Sequence, residues 1–329
     1  MSRQRFLDAI QCRSAAAEVS FGTGTSIACL DLMEATGARF PDAHLDAEKM
    51  ADLALAGHSV LGFDVVMPLF SVCHEAAAMG CNVKWGAPTA MPESGKPIFK
   101  DEGDIRIPHD LLRRDGCAVP LAAIALLKRR LGPAAAVCGK VMGAWTQGYH
   151  YFGVENFLIG TLDDPDQTRR ILDRLLPVTL QFAQAQIDAG ADCILLADHA
   201  TRDLCSPRAY HDFVLPLHQR LAAEIHAPVV LHICGNTADR IAMIARTGLA
   251  GFHWDTKTGR PEDVRSLAGE QLALMGGVSN FTLLRGTVED VRAQARGAEA
   301  AGINVVGPEC AIPLTTPLAN LKAILGGAV

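Results

Sequence analysis

A closed (β/α)8 barrel is the fold this sequence predicts, on three observations. Eight short apolar, β-branched runs recur along the 329 residues, with helical stretches between them. The runs are apolar on both faces and bounded by Gly, Pro or Asp, as buried parallel strands are. The mark of the competing fold, a doubly wound open sheet, is missing: Gly22-Thr23-Gly24 is followed by Ile27 where a dinucleotide loop needs its third glycine. Strands alternating with helices in that number close into a barrel.

The strand candidates are Ser20–Cys29 (the weakest pattern), Gly62–Pro68, Ala136–Gly143, Cys193–Asp198, Val229–Cys234, Gly251–Asp255, Leu272–Val278 and Ile303–Gly307. Between them, Leu45–Leu61 is amphipathic and Ala-rich, and Leu111–Leu131 is apolar at helical spacing with a basic end that suits a helix C-terminus. Asp164-Pro165 and Ser206-Pro207 each put a capping side chain before a proline, which starts helices. Thr287 with Asp290 reads as a capping box, and Ala189-Gly190 and Ala301-Gly302 as helix ends. Met91–Pro108, rich in Pro, Gly and charge, is an ordered excursion or a mobile loop. Residues 1–329 therefore read as one barrel domain with an N-terminal extension.

Composition narrows the function classes. Apolar residues are 49% and charged residues 20% of the chain, enough to bury a large core. A net charge of −6 offers no basic field to a phosphate backbone, so nucleic-acid binding is disfavoured. None of the 10 cysteines forms a Cys-x-x-Cys pair, and several lie in apolar runs such as Asp192-Cys193-Ile194-Leu195-Leu196. That describes buried thiols in a reducing compartment. Charges interrupt the N-terminus before any signal-like apolar stretch, and the run Val119–Leu127 is too short to span a bilayer. A cytoplasmic enzyme with no membrane association is expected.

The most informative segment is Val229-Val230-Leu231-His232-Ile233-Cys234-Gly235-Asn236-Thr237. Residues i and i+2 of a strand share a face, so His232 and Cys234 point the same way at the carboxyl end of a strand, where barrels keep their active sites. An imidazole and a thiolate together suit zinc. Cys310, just after the last strand, is the third candidate and would lie over the same mouth. Two cysteines and a histidine leave a fourth position open, the catalytic zinc pattern. The competing reading makes His232 and Cys234 core residues and Cys310 a loop thiol.

Those residues carry a resemblance. The chain resembles the cobalamin-dependent methyltransferases of the uroporphyrinogen decarboxylase superfamily, and among them the methylcobamide:coenzyme M methyltransferases. The likeness runs through Asp31-Leu32-Met33-Glu34-Ala35-Thr36-Gly37, Leu61-Gly62-Phe63-Asp64-Val65-Val66-Met67-Pro68, Gly153-Val154-Glu155-Asn156-Phe157 and Asp188-Ala189-Gly190-Ala191-Asp192, then the His232 segment, and closes at Pro308-Glu309-Cys310-Ala311-Ile312-Pro313-Leu314-Thr315-Thr316-Pro317. It implies zinc at His232, Cys234 and Cys310. The implied reaction moves a methyl group from a methyl-cobamide to a zinc-activated thiol such as coenzyme M. Asp42-Ala43-His44 lacks the glycine of a corrinoid-binding Asp-x-His-x-x-Gly motif, so the cobamide is expected on a separate corrinoid protein.

Alternatives remain. A tetrapyrrole decarboxylase is one, although Arg3-Gln4-Arg5-Phe6 is followed by no arginine-rich carboxylate grip. Methyl transfer between corrinoid and tetrahydrofolate, a pterin acceptor, is another, and a non-catalytic corrinoid-protein chaperone a third. Relatives often flank the last cysteine with glycines; here stand Glu309 and Ala311. Glu309 is either a transient fourth ligand or base, or a carboxylate that supports a ligand or faces solvent. Asp198 leads the other catalytic candidates, against an alternative role as a helix cap. His199, Asp255 and Asn280 are candidate substrate-binding residues, with Tyr149, His150 and His253 behind them. His44 and His74-Glu75 read as surface or loop residues.

Overall fold

The eight apolar runs become eight parallel strands in one sheet. In the computed structural model, which describes residues 2–13 and 19–327, the strands are β1 (Ser20–Phe21), β2 (Val65–Val66), β3 (Val83–Lys84), β4 (Glu93–Ser94), β5 (Ala136–Met142), β6 (Cys193–Ala197), β7 (Val229–Ile233), β8 (Gly251–Trp254), β9 (Ala273–Val278) and β10 (Val305–Pro308). All but β3 and β4 form the sheet, in the order β1-β10-β9-β8-β7-β6-β5-β2. It curls into a nearly closed barrel with helices outside. β4, inside the Met91–Pro108 excursion, pairs antiparallel with β3, which lies before it.

The helix signals hold. Asp164 caps its helix at Gln167 N–H, Ser206 at Ala209 N–H, and Thr287 with Asp290 closes a capping box. Gly190 and Gly302, at φ +111° and +73°, follow helix ends. The first strand is far shorter than Ser20–Cys29. Gly22 turns the chain at φ +147°, and Thr25 N–H then bonds Thr23 Oγ1 instead of a neighbouring strand.

Short β1 and β2 leave two seams, and side chains fill both. Between β1 and β2, Asp64 N–H donates to the Phe21 carbonyl at 2.8 Å. The fully buried Asp64 carboxylate accepts from Phe21 N–H (3.1 Å), Ser20 Oγ (2.8 Å) and the Arg5 guanidinium (2.5 and 2.9 Å). Between β2 and β5 the ladder stops after Val66↔Val137. Farther along β5, Gln186 bonds both the N–H (2.8 Å) and the carbonyl (2.9 Å) of Lys140. Glu75 accepts from Met142 N–H at 2.7 Å, while Thr179 and Gln147 donate to the Met142 carbonyl at 2.7 and 3.0 Å. Buried backbone groups need such partners.

The helix Ser2–Ala9 packs across the amino ends of β1, β2 and β5. Its Phe6 is fully buried, Arg5 holds Asp64, and Arg3 meets Asp192 at 2.8 Å. The helix covers that part of the barrel's end. No described helix is long and apolar enough to cross a membrane.

Asp64→Ala orphans Phe21 N–H and the Ser20 hydroxyl. It is expected to cost about 2–4 kcal/mol in urea unfolding. A loss below about 1 kcal/mol would show that the seam does not depend on this carboxylate.

Candidate metal centre

Parallel register sets His232 at the carboxyl end of β7, directly opposite His253 of β8 and Ala197 of β6. Cys234 lies two residues on, and Cys310 two residues beyond the end of β10. The predicted triad converges. His232 Nε2 is 3.1 Å from Cys234 Sγ and 3.4 Å from Cys310 Sγ, and the two sulfurs are 2.9 Å apart. At that separation the cysteines are free thiols, since a disulfide holds its sulfurs roughly 2.05 Å apart.

The donor set fits zinc. Ligands on one tetrahedral ion sit roughly 3.5–3.8 Å apart, so the three atoms need to spread by less than about 1 Å. His232 Nδ1–H donates to the His253 carbonyl at 3.1 Å, which fixes the ring and leaves the Nε2 lone pair for a metal. The His253 ring lies 4.5 Å from it, centroid to centroid, and bonds the Pro308 carbonyl through Nε2 at 2.8 Å. Without metal, the bond from Cys234 and the neighbouring His232 hold the Cys310 thiol well below its ordinary range. The same bond, together with burial, pushes Cys234 up. Among the described residues no carboxylate joins this group.

A cavity of about 470 Å³ opens beside the three donors. Its walls include Met142, Leu195 and Ala197 from the strands, Phe70, Ser71 and Val72 after β2, and Met91, Pro92 and Ser94 from the excursion. Tyr149, His150, Asp198 and His199 line it as well. Burial, together with the neighbouring His232, lowers the basicity of His199.

The other predicted residues are placed as follows. Asp198 borders the cavity, but its carboxylate is engaged: Oδ1 accepts from Thr146 N–H (2.8 Å) and Oγ1 (2.9 Å), and Oδ2 contacts His218 Nε2 at 3.1 Å. Gly143, at the N-cap of helix Ala144–Phe152, has no side chain to cap with, so Asp198 supplies one from the neighbouring strand. A Cβ on Gly143 would stand 2.2 Å from that carboxylate. His199 lines the cavity and meets Tyr149 edge-on. Asp255, Asn280 and Glu309 lie outside the cavity lining. Asp255 accepts from Gly235 N–H and Lys257 N–H at 2.8 and 2.9 Å, holding the turn that follows Cys234. Glu309 accepts from Thr256 N–H (2.8 Å) and Asn280 N–H (2.7 Å), and Asn280 Nδ2 donates to the Ala311 carbonyl at 2.8 Å. These three side chains brace the loops that carry the cysteines.

One expectation is overturned. His44, His74 and Glu75 are not surface residues; each is at most 1% exposed. The two imidazoles pack with Phe40, Phe70 and Trp85, and all four of their nitrogens lack partners. Burial pushes His44 down to about 3, and His74 well below its usual value. Neutral rings belong in such an apolar cluster. Lys140, absent from the sequence candidates, also lines the cavity. Its signal was visible: a lysine inside a run apolar on both faces must reach an interior surface.

The chain belongs to the uroporphyrinogen decarboxylase (URO-D) family, whose profile matches residues 2–326. Within that class it is 31% identical over 304 residues to the methylcobamide:CoM methyltransferase MtaA of Methanosarcina barkeri, covering 92% of this chain and 90% of that protein. It is 32% identical over 295 residues to a methylated-thiol–coenzyme M methyltransferase of Methanosarcina mazei, covering 89% and 80%. A solved methyltransferase from Methanosarcina mazei superposes with a TM-score of 0.96 at 32% identity, covering 99% of this chain and 97% of the other.

Two outcomes follow. Purified protein is expected to hold about one zinc per chain, and Cys234→Ala or Cys310→Ala to weaken zinc binding by more than ~100-fold in a chelator competition. Undiminished zinc in both variants would remove the site. Separately, burial lifts the Glu75 carboxyl from 4.5 to about 7. Its folded form holds the proton more tightly than the unfolded form, so stability falls as pH rises from about 4.5 through 7. Glu75→Gln keeps an acceptor for Met142 N–H without that charge. Its stability relative to wild type should therefore improve by about 1–3 kcal/mol between pH 5 and pH 8 in urea unfolding. An unchanged difference would mean that Glu75 bears no such strain.

Proposed function

We propose that this chain is a zinc-dependent methyltransferase that takes a methyl group from a methyl-cobamide on a separate corrinoid protein and gives it to a small thiol. The observation that carries the reading is the convergence of His232, Cys234 and Cys310 beside an open cavity. The names of the relatives, methylcobamide:CoM and methylated-thiol–coenzyme M methyltransferases, support it. Among the described residues a single lysine and no arginine line the cavity, a poor match for a tetrapyrrole with several carboxylates. Ten free cysteines fit a reducing, cytoplasmic setting, and residues 1–329 act as one barrel domain.

His232, Cys234 and Cys310 would hold the zinc ion, which would supply Lewis acidity to lower the pKa of a thiol bound beside them. The protein does the rest. The His253 carbonyl keeps the His232 ring oriented, and Asp255, Glu309 and Asn280 hold the two cysteine loops still. Met142, Leu195, Ala197 and Phe70 give the thiol a water-poor wall. His199 and Tyr149 shape the approach of the methyl donor, with the Tyr149 hydroxyl fixed on the His199 carbonyl at 3.2 Å. In the transfer a sulfur–carbon bond forms as the cobalt–carbon bond breaks. The electron pair stays on cobalt, and the thiol proton leaves to solvent.

The test is thiol-dependent loss of free methylcobalamin, followed by its absorbance, with zinc measured on the same sample. Wild type should turn over with about one zinc per chain, and Cys234→Ala should lose at least ~100-fold in kcat/KM. Full activity in that variant without zinc would sink the proposal.

A further inference from the structure

β5 carries an interior side chain that the metal centre leaves unused. Its alternation turns Lys140 and Met142 into the cavity, and Gln186 clamps the Lys140 peptide from both sides. Lys140 is 5% exposed. Among the described residues its ammonium makes no hydrogen bond or ion pair. The nearby Glu75 accepts from Met142 N–H and forms no ion pair with it. Burying an unpaired ammonium is unfavourable. The cost is reduced here by the cavity the group faces and the negative charge of Glu75, so that burial takes Lys140 down only to about 8. It is also the only lysine or arginine among the described residues that line the cavity, and it shares that cavity with both metal-site cysteines.

We infer that Lys140 is the specificity residue for the acceptor, binding the anionic headgroup of a short thiol whose sulfur lies at His232, Cys234 and Cys310. The inference rests on the methyl-transfer reading above. A sulfonate or carboxylate a few bonds from sulfur satisfies the buried ammonium, and the hydroxyls of Ser26 and Ser71, which line the same cavity, add donors for its oxygens. A neutral thiol reaches the metal site but leaves the ammonium unpaired. Selection therefore comes from an interaction that only an anionic thiol can make.

The experiment compares 2-mercaptoethanesulfonate with 2-mercaptoethanol as acceptors for methylcobalamin, using the zinc-loaded chain. Wild type should show a KM lower for the sulfonate by roughly 10- to 100-fold, the worth of one charged hydrogen bond in a buried site. In Lys140→Met that ratio should collapse towards one, and in Lys140→Arg a preference should persist. Calorimetry with ethanesulfonate, which has no thiol and needs no metal, reads the same site directly: binding to wild type and its loss in Lys140→Met support the inference. Equal KM values for the two thiols in wild type, or an undiminished preference in Lys140→Met, overturn it. If wild type methylates neither thiol, the methyl-transfer reading fails, and the ethanesulfonate titration alone decides whether Lys140 holds an anion.

Discussion

Every buried peptide group in this barrel needs a partner, and the shortness of β2 makes that need acute. β2 offers two residues to β5, which is seven long. A full-length β2 would have closed the sheet with main chain. Instead Gln186, Glu75, Gln147 and Thr179 reach in from the surrounding helices and complete the ladder residue by residue. The substitution has a spatial result. The chain that follows β2 is released from the sheet, so Phe70, Ser71 and Val72 swing over the mouth and become cavity wall. A missing stretch of strand thus makes room for a substrate.

The cysteines gain their positions from a second set of polar contacts. Asp255, Glu309 and Asn280 tie together the loops after β7, β8, β9 and β10. Each contact is a side chain meeting backbone, which fixes the path of a loop more directly than one side chain meeting another. Side chains that are already gathered would lose little freedom on binding a metal. The same logic applies to Asp198, which caps a helix whose own N-cap residue is glycine.

The parts of the molecule governed by local rules were legible in the sequence. Capping residues, glycine stops and most strand runs depend on neighbours along the chain and formed where the pattern put them, while the first two strands kept only two residues each. The His232–Cys234 pair was legible too, because a two-residue period fixes its face and a parallel barrel fixes its end. Partnerships across the fold were not. Nothing near Asp198 announces Thr146 and His218, and nothing near Glu309 announces Thr256. His44 and His74 misled for a related reason: polar residue types outside a clear strand read as exposed, while their burial is decided by Phe40, Phe70 and Trp85, which the fold alone brings together.

The helix Ser2–Ala9, locked to Asp64 and Asp192 by its two arginines, stoppers the barrel at the end away from the cysteines. A vessel covered at one end favours a queue. Whatever occupies the floor of the cavity must enter before anything that covers the mouth, and it leaves only after that cover has lifted. For the pair of reactants proposed above, a small thiol and a protein-borne cobamide, such an architecture would set the sequence of arrivals and departures.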